Sequence, residues 1–199
     1  MLRDSATVVQ DSSAIIDYLE RRYANPALTP SDPNAAREAL DWEEYLDEQI
    51  GVNIRLWFYH HTLPVRRLAV SFLLQGAAWH KKALFVLVYP KVGRAMIRSM
   101  NINSDTARQA EERLRAALEK LDETLAGRRF LVDDRFSRAD LTACALLRRS
   151  CMPDETSKEI PPAVRELRDE LKNRRVCQWV RSVYACYRQP LRARVSPNQ

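Results

Sequence analysis

A proline-rich segment divides this sequence into two parts of unequal length. Residues 25–34 read N-P-A-L-T-P-S-D-P-N, and prolines at this density exclude a continuous helix because proline lacks the amide hydrogen that an interior turn needs. We therefore predict a linker over residues 25–34, preceded by a small unit at residues 1–24. Almost everything after the linker has helical spacing, which predicts a helical domain over residues 35–189 and a tail at residues 190–199.

The unit before the linker is predicted to contain one strand and one helix. Residues Ala6–Gln10 form a short, β-branched run of the kind that favours a strand. Asp11 and Ser12 follow as cap residues for a helix. That helix is predicted over Ser13–Tyr23, because its apolar residues Ile15, Ile16 and Leu19 have helical spacing.

The domain after the linker is predicted to be helical throughout. A first helix is predicted from Ala35 to about His60, and Pro64 ends it. Two further apolar helices follow, the second bent at Pro90 because proline removes an interior hydrogen bond. The last two helices are predicted over Ala163–Lys172 and Val176–Tyr187.

Two helices in the middle of this domain differ in their apolar pattern. One, capped by Ser104 and ended by Gly127, carries a single apolar stripe made of Ala107, Ala110, Leu114, Ala117, Leu121 and Leu125. The other, from Ser137 to about Cys151, is apolar nearly all round. Such a helix is expected in the centre of a bundle.

Composition excludes several classes of protein. The four glycines lie far apart, which excludes a glycine-rich phosphate loop or a dinucleotide-binding fingerprint. The net charge of +6 comes from arginine pairs, such as Arg128 and Arg129, that are scattered among acidic residues. A nucleic-acid binder would show a concentrated basic stripe. The apolar runs are too short to cross a bilayer, so we expect neither nucleic acid nor a membrane as partner.

Cysteine and histidine usage indicates a reduced protein without a metal. The four cysteines form no C-x-x-C pair and no signal peptide precedes the chain, which predicts packing cysteines and a cytoplasmic location. His60 and His61 are adjacent, so on a helix they point to different faces and cannot share a metal.

Two motifs resemble segments of the soluble glutathione S-transferases. Asp11-Ser12-Ser13-Ala14-Ile15 is similar to the acidic-Ser-x-Ala-Ile turn that ends the family's thioredoxin-like domain. The segment from Phe130 to Leu141 is similar to the family's G-x-x-F/Y-L-x-G-x-x-x-S/T-x-A-D pattern, with Asp133-Asp134 where the family often has glycine. The resemblance extends from Leu2 to about Tyr187. It implies an all-α dominated fold, a glutathione-transferase C-terminal-like helical bundle with an N-terminal strand–helix remnant of a thioredoxin-like fold.

The resemblance also implies a chemistry. The family's parent reaction is attack of the glutathione thiolate on a hydrophobic, electrophilic small molecule, with glutathione as co-substrate and no other cofactor. The γ-glutamyl end of glutathione would lie at Asp11 and Ser12. A serine hydroxyl and free amides at a helix start suit its carboxylate, and Asp11 suits its ammonium group. A homodimer is implied if the full N-terminal domain is present.

The residue that activates the thiol in this family has no counterpart in this sequence. No segment aligns with the one that carries the activating Tyr, Ser or Cys, and the family's Val-Pro-x-Leu turn is absent. We therefore expect a truncated chain that is weakly active or inactive alone, with Met1 inside a longer reading frame or at the start of a truncated gene copy. The alternative is a non-catalytic binding or interaction module, as such domains are in the gamma subunit of a translation elongation factor.

Two further residue sets are candidates for defined roles. Ser137 and Asp140 are predicted to form a reciprocal N-cap, and not a nucleophile and its base, because no histidine lies nearby in the sequence. Trp42, Tyr45 and Gln49 lie on the first helix of the domain and are candidates for the electrophile pocket. The same stripe could instead form a dimer interface or simply pack in the core.

Overall fold

The computed structural model describes residues 1–4, 7–23, 25–74, 76–152 and 160–188. Within them the chain is dominated by α-helices, with one small sheet at its start, which confirms the predicted fold class. The elements, in chain order, are β1 (Leu2–Asp4), β2 (Thr7–Val9), α1 (Ser12–Arg22), α2 (Pro33–Leu46), a π-helical turn (Asp47–Gly51), α3 (Val52–Thr62), α4 (Arg66–Leu73), α5 (Trp79–Ser99), α6 (Ser104–Thr124), α7 (Arg138–Cys151), α8 (Pro162–Leu171) and α9 (Arg175–Tyr187).

The sheet is an antiparallel hairpin in which Leu2 pairs with Val9. The sequence predicted only the second of its strands, because Leu2–Asp4 is too short and too polar to show a pattern. Helix α1 is attached to this hairpin by side chains: the Tyr18 hydroxyl donates to Asp4 Oδ2 at 2.7 Å, and Arg22 Nε lies 3.2 Å from the same oxygen.

The sequence predicted one regular helix at the start of this domain. The structure instead has two helices, α2 and α3, joined by a π-helical turn at Asp47–Gly51. The side chain of Asn53, which is buried, donates to the carbonyl oxygens of Glu48 and Gln49 at 3.0 and 2.8 Å. A buried polar side chain therefore supplies donors where the helix widens. The spacing of apolar residues did not reveal this turn, since Leu46 and Ile50 are buried on the same stripe.

The main core lies between α2, α3, α6, α7, α8 and α9. Helix α7 is in its centre, as predicted, with Ala139, Ala143 and Leu147 completely buried. The predicted stripe on α6 is buried along its whole length, from Ala107 to Leu125. Burial of these faces supplies most of the free energy that favours folding, since such helices are weak in isolation.

Helices α4 and α5 form a hairpin with a second, smaller core of its own. The core centres on Leu63, Ala69, Val70 and Tyr89, and the Tyr89 hydroxyl donates to the Leu63 carbonyl at 2.6 Å. Helix α5 continues through Pro90 for 21 residues. The α4–α5 hairpin thus packs on α3 outside the main bundle.

The prediction that all four cysteines are reduced packing residues is wrong for two of them. Cys151, at the end of α7, and Cys177, in the first turn of α9, form a disulfide. The absence of a C-x-x-C pair does not exclude this bond, because α7 and α9 pack together and bring positions 26 residues apart within reach. Cys144 is free and buried, and Cys186 is free and exposed.

Five described loop positions have a positive φ, a conformation in which a side chain is strained: Asp11, Gly76, Asn101, Gly127 and Asp133. Gly127 has φ = 79° in the turn that follows α6. Asp133 has φ = 51°, so the aspartate pair that replaces the family's glycine keeps the backbone conformation that glycine favours. Asp11 has φ = 79° immediately before α1.

Candidate functional site

The N-terminus of α7 is built by two fully buried polar residues, Ser137 and Asp140. Asp140 Oδ2 accepts from the Ser137 amide and hydroxyl, each at 2.8 Å, and Oδ1 accepts from the Leu131 amide at 2.8 Å. Burial raises the pKa of Asp140 in spite of these donors. Both groups are engaged in this reciprocal cap, which fixes the loop before α7 to the helix start.

The Asp11–Ser12 turn is the start of α1. Asp11, not Ser12, is the N-cap residue, because Asp11 Oδ1 accepts from the amides of Ser13 and Ala14 at 3.0 and 3.3 Å. The amides of these two residues are therefore already paired and are not among the free amides expected at this helix start. Ser12 is exposed, and neither its amide nor its hydroxyl has a partner within the described chain. One donor pair at the positive end of the helix remains for an anion.

A buried ionic network holds α1 against the bundle next to this turn. Arg138 Nε donates to Glu43 Oε2, and both side chains are almost completely buried. Ser13 Oγ donates to the other oxygen of Glu43 at 2.5 Å, and Arg138 Nη1 donates to Asp17 at 2.9 Å. The network therefore joins α1, α2 and α7. Hydrogen bonding to Glu43 and Asp17 keeps the pKa of Arg138 raised although burial opposes it.

The same arginine and α1 also hold the linker in place. Glu20 Oε1 accepts from the amides of Leu28 and Thr29 at 2.6 and 2.7 Å. Burial opposes ionisation of Glu20, but the hydrogen bonds from Thr29 and Leu28 and the charge of Arg138 lower its pKa overall. The Arg138 amide itself donates to the Leu28 carbonyl at 3.0 Å. Residues 28 and 29 of the linker are thus hydrogen-bonded both to α1 and to the first residue of α7.

Asp47 adds a second carboxylate near the turn. It is the first residue of the π-helical turn, and its pKa is raised by burial and by the negative charges of Glu43 and Asp11, with Arg55 acting in the opposite direction. Two acids close enough to perturb Asp47 make this side of the α1 start electronegative. The start of α1 therefore offers the hydrogen-bond donors of Ser12 to an anion, and nearby carboxylates that suit a cation.

The aromatic stripe on α2 faces another helix. Trp42 and Tyr45 are half-buried and meet edge-on, with ring centroids 5.6 Å apart. The ammonium group of Lys120, on α6, lies 4.9 Å from the Trp42 ring centroid and 3.8 Å from that of Tyr45. Because Trp42 and Glu43 are consecutive on a helix, they point about 100° apart. The structure brings Glu43 to α1 through its hydrogen bond with Ser13. Gln49 is half-buried.

Other reactive groups are poorly placed for thiol chemistry. The pKa of Cys144 is raised to about 12 by burial and by Asp140, so this thiol stays protonated near neutral pH. The pKa of Tyr18 is raised by its hydrogen bond to Asp4. The rings of His60 and His61 lie 5.0 Å apart. Within the residues that the structure describes, no three His, Cys, Asp or Glu side chains form a metal-binding group.

Comparison with protein families finds a similarity in the helical part of the chain. Residues 79–175 match the family model of the glutathione S-transferase C-terminal domain. This segment is similar to a glutathione S-transferase C-terminal domain. The match begins at α5 and ends at the start of α9, so it includes the capping box of α7. Within the residues that the structure describes, no helix is long and apolar enough to cross a membrane.

Two curated relatives and one solved structure are similar to this chain. Elongation factor 1-gamma from Danio rerio and from Carassius auratus are each 28% identical over 145 residues, which cover 72% of this chain and 24% of each relative. The match thus spans about a quarter of the length of these relatives. The crystal structure of the beta-etherase LigF from Sphingobium sp. strain SYK-6 matches with a TM-score of 0.54 and 19% identity. The match covers 88% of this chain and 74% of that chain, which shows the shared fold.

Glu43, Asp47 and Arg138 were not singled out by the sequence. Glu43 interrupts a buried stripe formed by Ala39, Leu46 and Ile50, and an acidic residue in such a stripe is a signal that a buried partner is needed. Arg138 lies between the two capping residues Ser137 and Asp140, so it was read only as an unspecified position of the capping motif. Asp47 could not be found, because its place depends on the π-helical turn.

Proposed function

We propose that this chain binds the γ-glutamyl end of glutathione at the Asp11–Ser12 turn, as a member of the glutathione S-transferase family whose parent reaction is conjugation of glutathione to an electrophilic small molecule. The observation that carries the proposal is the exposed Ser12 amide and hydroxyl, unpartnered within the described chain, beside Asp11 in a left-handed conformation. Strained backbone at a helix start is common where a ligand is held.

The chemistry of the γ-glutamyl group fits the charges around this turn. Its α-carboxylate would accept from the Ser12 amide and hydroxyl at the positive end of α1. Its ammonium group would lie toward the carboxylates of Asp11 and Asp47. Asp11 Oδ1 is occupied by the cap, which leaves Oδ2 and Asp47 for the cation. The buried Glu43–Arg138 pair would position the turn without touching the ligand.

We propose that binding and conjugation are separate in this chain. Conjugation requires a group that stabilises the glutathione thiolate with a hydrogen bond or a positive charge. Tyr18 is engaged by Asp4, and the high pKa of Cys144 suits packing. The chain alone is therefore expected to bind the peptide without turning it over at an appreciable rate.

Calorimetric titration with three peptides tests the proposal. Glutathione and γ-glutamylcysteine should bind with similar affinity, and cysteinylglycine, which lacks the γ-glutamyl group, should not bind. Ser12→Ala should weaken glutathione binding by about tenfold, the amount expected for one hydrogen bond to a charged group. Ser104→Ala is the matched control, since Ser104 is likewise the exposed first residue of a helix, α6. Equal binding of cysteinylglycine, or an unchanged affinity in Ser12→Ala, would refute the proposal.

A second candidate function is a non-catalytic interaction module. The similarity to elongation factor 1-gamma favours it, because that name belongs to a translation factor and not to a transferase. The titration distinguishes the two candidates: a folded wild-type chain that binds none of the three peptides supports the interaction module.

A further inference from the structure

The positive charge of this chain is concentrated in one segment, contrary to the scattered distribution expected from the arginine pairs. Between Glu48 and Asp105 the sequence contains no acidic residue. The same stretch contains eight basic residues, which are Arg55, Arg66, Arg67, Lys81, Lys82, Lys91, Arg94 and Arg98. The positive charge of this stretch therefore exceeds the net charge of the whole chain, which is +6. Most of them belong to the α4–α5 hairpin.

The outward side of α5 combines this charge with exposed apolar side chains. The exposed fractions are 81% for Trp79, 66% for Leu84, 74% for Leu87 and 45% for Val88. Positions 84, 87 and 88 have the three- and four-residue spacing of one helix face, opposite the buried side that carries Tyr89 and Gly93. Large apolar side chains clustered on a surface mark a contact with an apolar partner.

Cations flank these apolar side chains at both ends. Lys81 and Lys82 lie at the start of α5, and Lys91, Arg94 and Arg98 lie in its second half. None of these five forms an ion pair within the part of the chain that the structure describes. We call Leu84, Leu87 and Val88, together with Lys81, Lys91, Arg94 and Arg98, the α5 outer face, because at 100° per residue Trp79 and Lys82 point toward the side that carries Tyr89 and Gly93.

We propose that the α5 outer face binds the surface of an anionic phospholipid membrane, with α5 lying along the surface. Leu84, Leu87 and Val88 would enter the boundary between head groups and acyl chains, and the lysine and arginine side chains would reach the lipid phosphates. A helix that lies on a membrane need not be long or wholly apolar. The proposal therefore differs from the expectation of no membrane partner, which considered only spanning segments.

Charge and shape favour this occupant over three others. A second copy of the chain would bring two basic faces together, and like charges oppose such a dimer. A nucleic acid would use the cations but would leave Leu84 and Leu87 without an apolar partner. A helical protein partner would need a groove to lie in, whereas these side chains stand on the outer side of a helical hairpin. A deformable lipid surface accepts a convex face.

Sedimentation with vesicles tests the proposal on the full chain. Vesicles of phosphatidylcholine with 30% phosphatidylserine should bind the protein at least tenfold more tightly than pure phosphatidylcholine vesicles, and 0.5 M salt should weaken that binding. Leu84→Gln/Leu87→Gln should reduce binding at least tenfold. Leu40→Gln is the matched control, because Leu40 is exposed to 46% on α2, far from this face in the sequence. Circular dichroism melts check that all variants remain folded.

Fluorescence tests the orientation of the helix. Brominated phospholipids quench tryptophans that enter the bilayer, so a tryptophan placed on this face by Leu87→Trp should be quenched on binding, and one placed on α2 by Leu40→Trp should not. Failure to bind anionic vesicles would overturn the proposal, as would binding that Leu84→Gln/Leu87→Gln leaves unchanged. Binding of polyuridylate with no vesicle binding would overturn it in favour of a nucleic-acid surface. Salt-insensitive self-association through the same residues would overturn it in favour of a dimer.

Discussion

Arg138 and Glu43, 95 positions apart in the sequence, form an ion pair whose two side chains are only 3% and 4% exposed. The pair connects the N-terminus of α7 to α2, and through Ser13 and Asp17 it reaches α1. Ions removed from water in this way depend on each other, because either one alone would be a buried, unpaired charge. The contact between α1 and the bundle therefore includes a buried ionic network.

Removing one partner of this pair should destabilise the protein strongly. Arg138→Met is expected to lower the free energy of unfolding by about 3–5 kcal/mol, since it leaves the Glu43 carboxylate buried without its counter-ion. Arg138→Met/Glu43→Leu should recover a large part of that loss. Arg108→Met is the control: its partner Glu112 is exposed, and its removal should change stability by about 0.5 kcal/mol or less. Urea unfolding curves measure all three, and an Arg138→Met value close to that of the control would exclude an important role for the pair.

Loss of the buried capping box of α7 should lower the free energy of unfolding more than loss of a similar but exposed cap. Ser137→Ala is expected to cost about 1–2 kcal/mol, and Asp140→Ala about 2–4 kcal/mol because it leaves the Leu131 and Ser137 amides buried without acceptors. The double variant should cost less than the sum, as the two residues share one motif. The exposed cap of α6 is Asn103, and not Ser104 as the sequence predicted, and Asn103→Ala should cost about 1 kcal/mol. Denaturant melts that rank Asn103→Ala above Asp140→Ala would contradict this account.

Asp47 should make stability fall as the pH rises. Its pKa is raised in the folded state, by burial first and then by Glu43 and Asp11, so the folded protein holds this proton more tightly than the unfolded chain. The stabilisation is fully present below the ordinary value of 3.8 and is lost as the pH rises through the folded value. Relative to Asp47→Asn, the wild type should therefore be more stable at pH 3.5 than at pH 7. Unfolding free energies at the two pH values measure this, with the exposed Asp169→Asn as baseline, and a difference of the opposite sign would be evidence against a raised pKa.

Thiol labelling should distinguish the four cysteines. Under native, non-reducing conditions one label is expected, on the exposed Cys186, because Cys144 is buried with its pKa raised to about 12. Unfolding without a reductant should add Cys144, and reduction should then add Cys151 and Cys177. Mass spectrometry after iodoacetamide treatment counts the labels at each step. Labelling of all four in the unfolded, non-reduced protein would show that the disulfide does not form.

Conjugation activity should be low in this chain. With glutathione and 1-chloro-2,4-dinitrobenzene, we expect a rate within about twofold of the uncatalysed reaction, since a thiol without a stabilising hydrogen bond stays mostly protonated near neutral pH. Absorbance of the conjugate measures the rate. Robust turnover that Ser12→Ala abolishes would mean that thiol activation arises at the Asp11–Ser12 turn.

Features set by neighbouring residues could be predicted from the sequence, and features set by distant ones could not. The buried stripe on α6 and the position of α7 followed from spacing alone, because a helix face is defined within a few turns. The Glu43–Arg138 pair, the Cys151–Cys177 disulfide and the approach of Asp47 to Asp11 depend on how helices pack, and no local pattern encodes them. The choice of Asp11 over Ser12 as cap residue depended on one backbone angle, which residue type alone leaves open.

The π-helical turn at Asp47–Gly51 determines where this protein can change in length. A π-helical turn is what remains when one extra residue is accommodated within a helix. Deleting one residue inside 47–51 would restore a regular helix and keep Glu43 and Trp57 on the faces they now occupy. The same deletion elsewhere in α2 or α3 would rotate everything after it by about 100° and turn Trp57 out of the core. Among homologues, single-residue insertions and deletions in this helix should therefore concentrate at these five positions. Such changes should move or remove the Asp47 carboxylate, while the packed faces of α2 and α3 keep their orientation in the bundle.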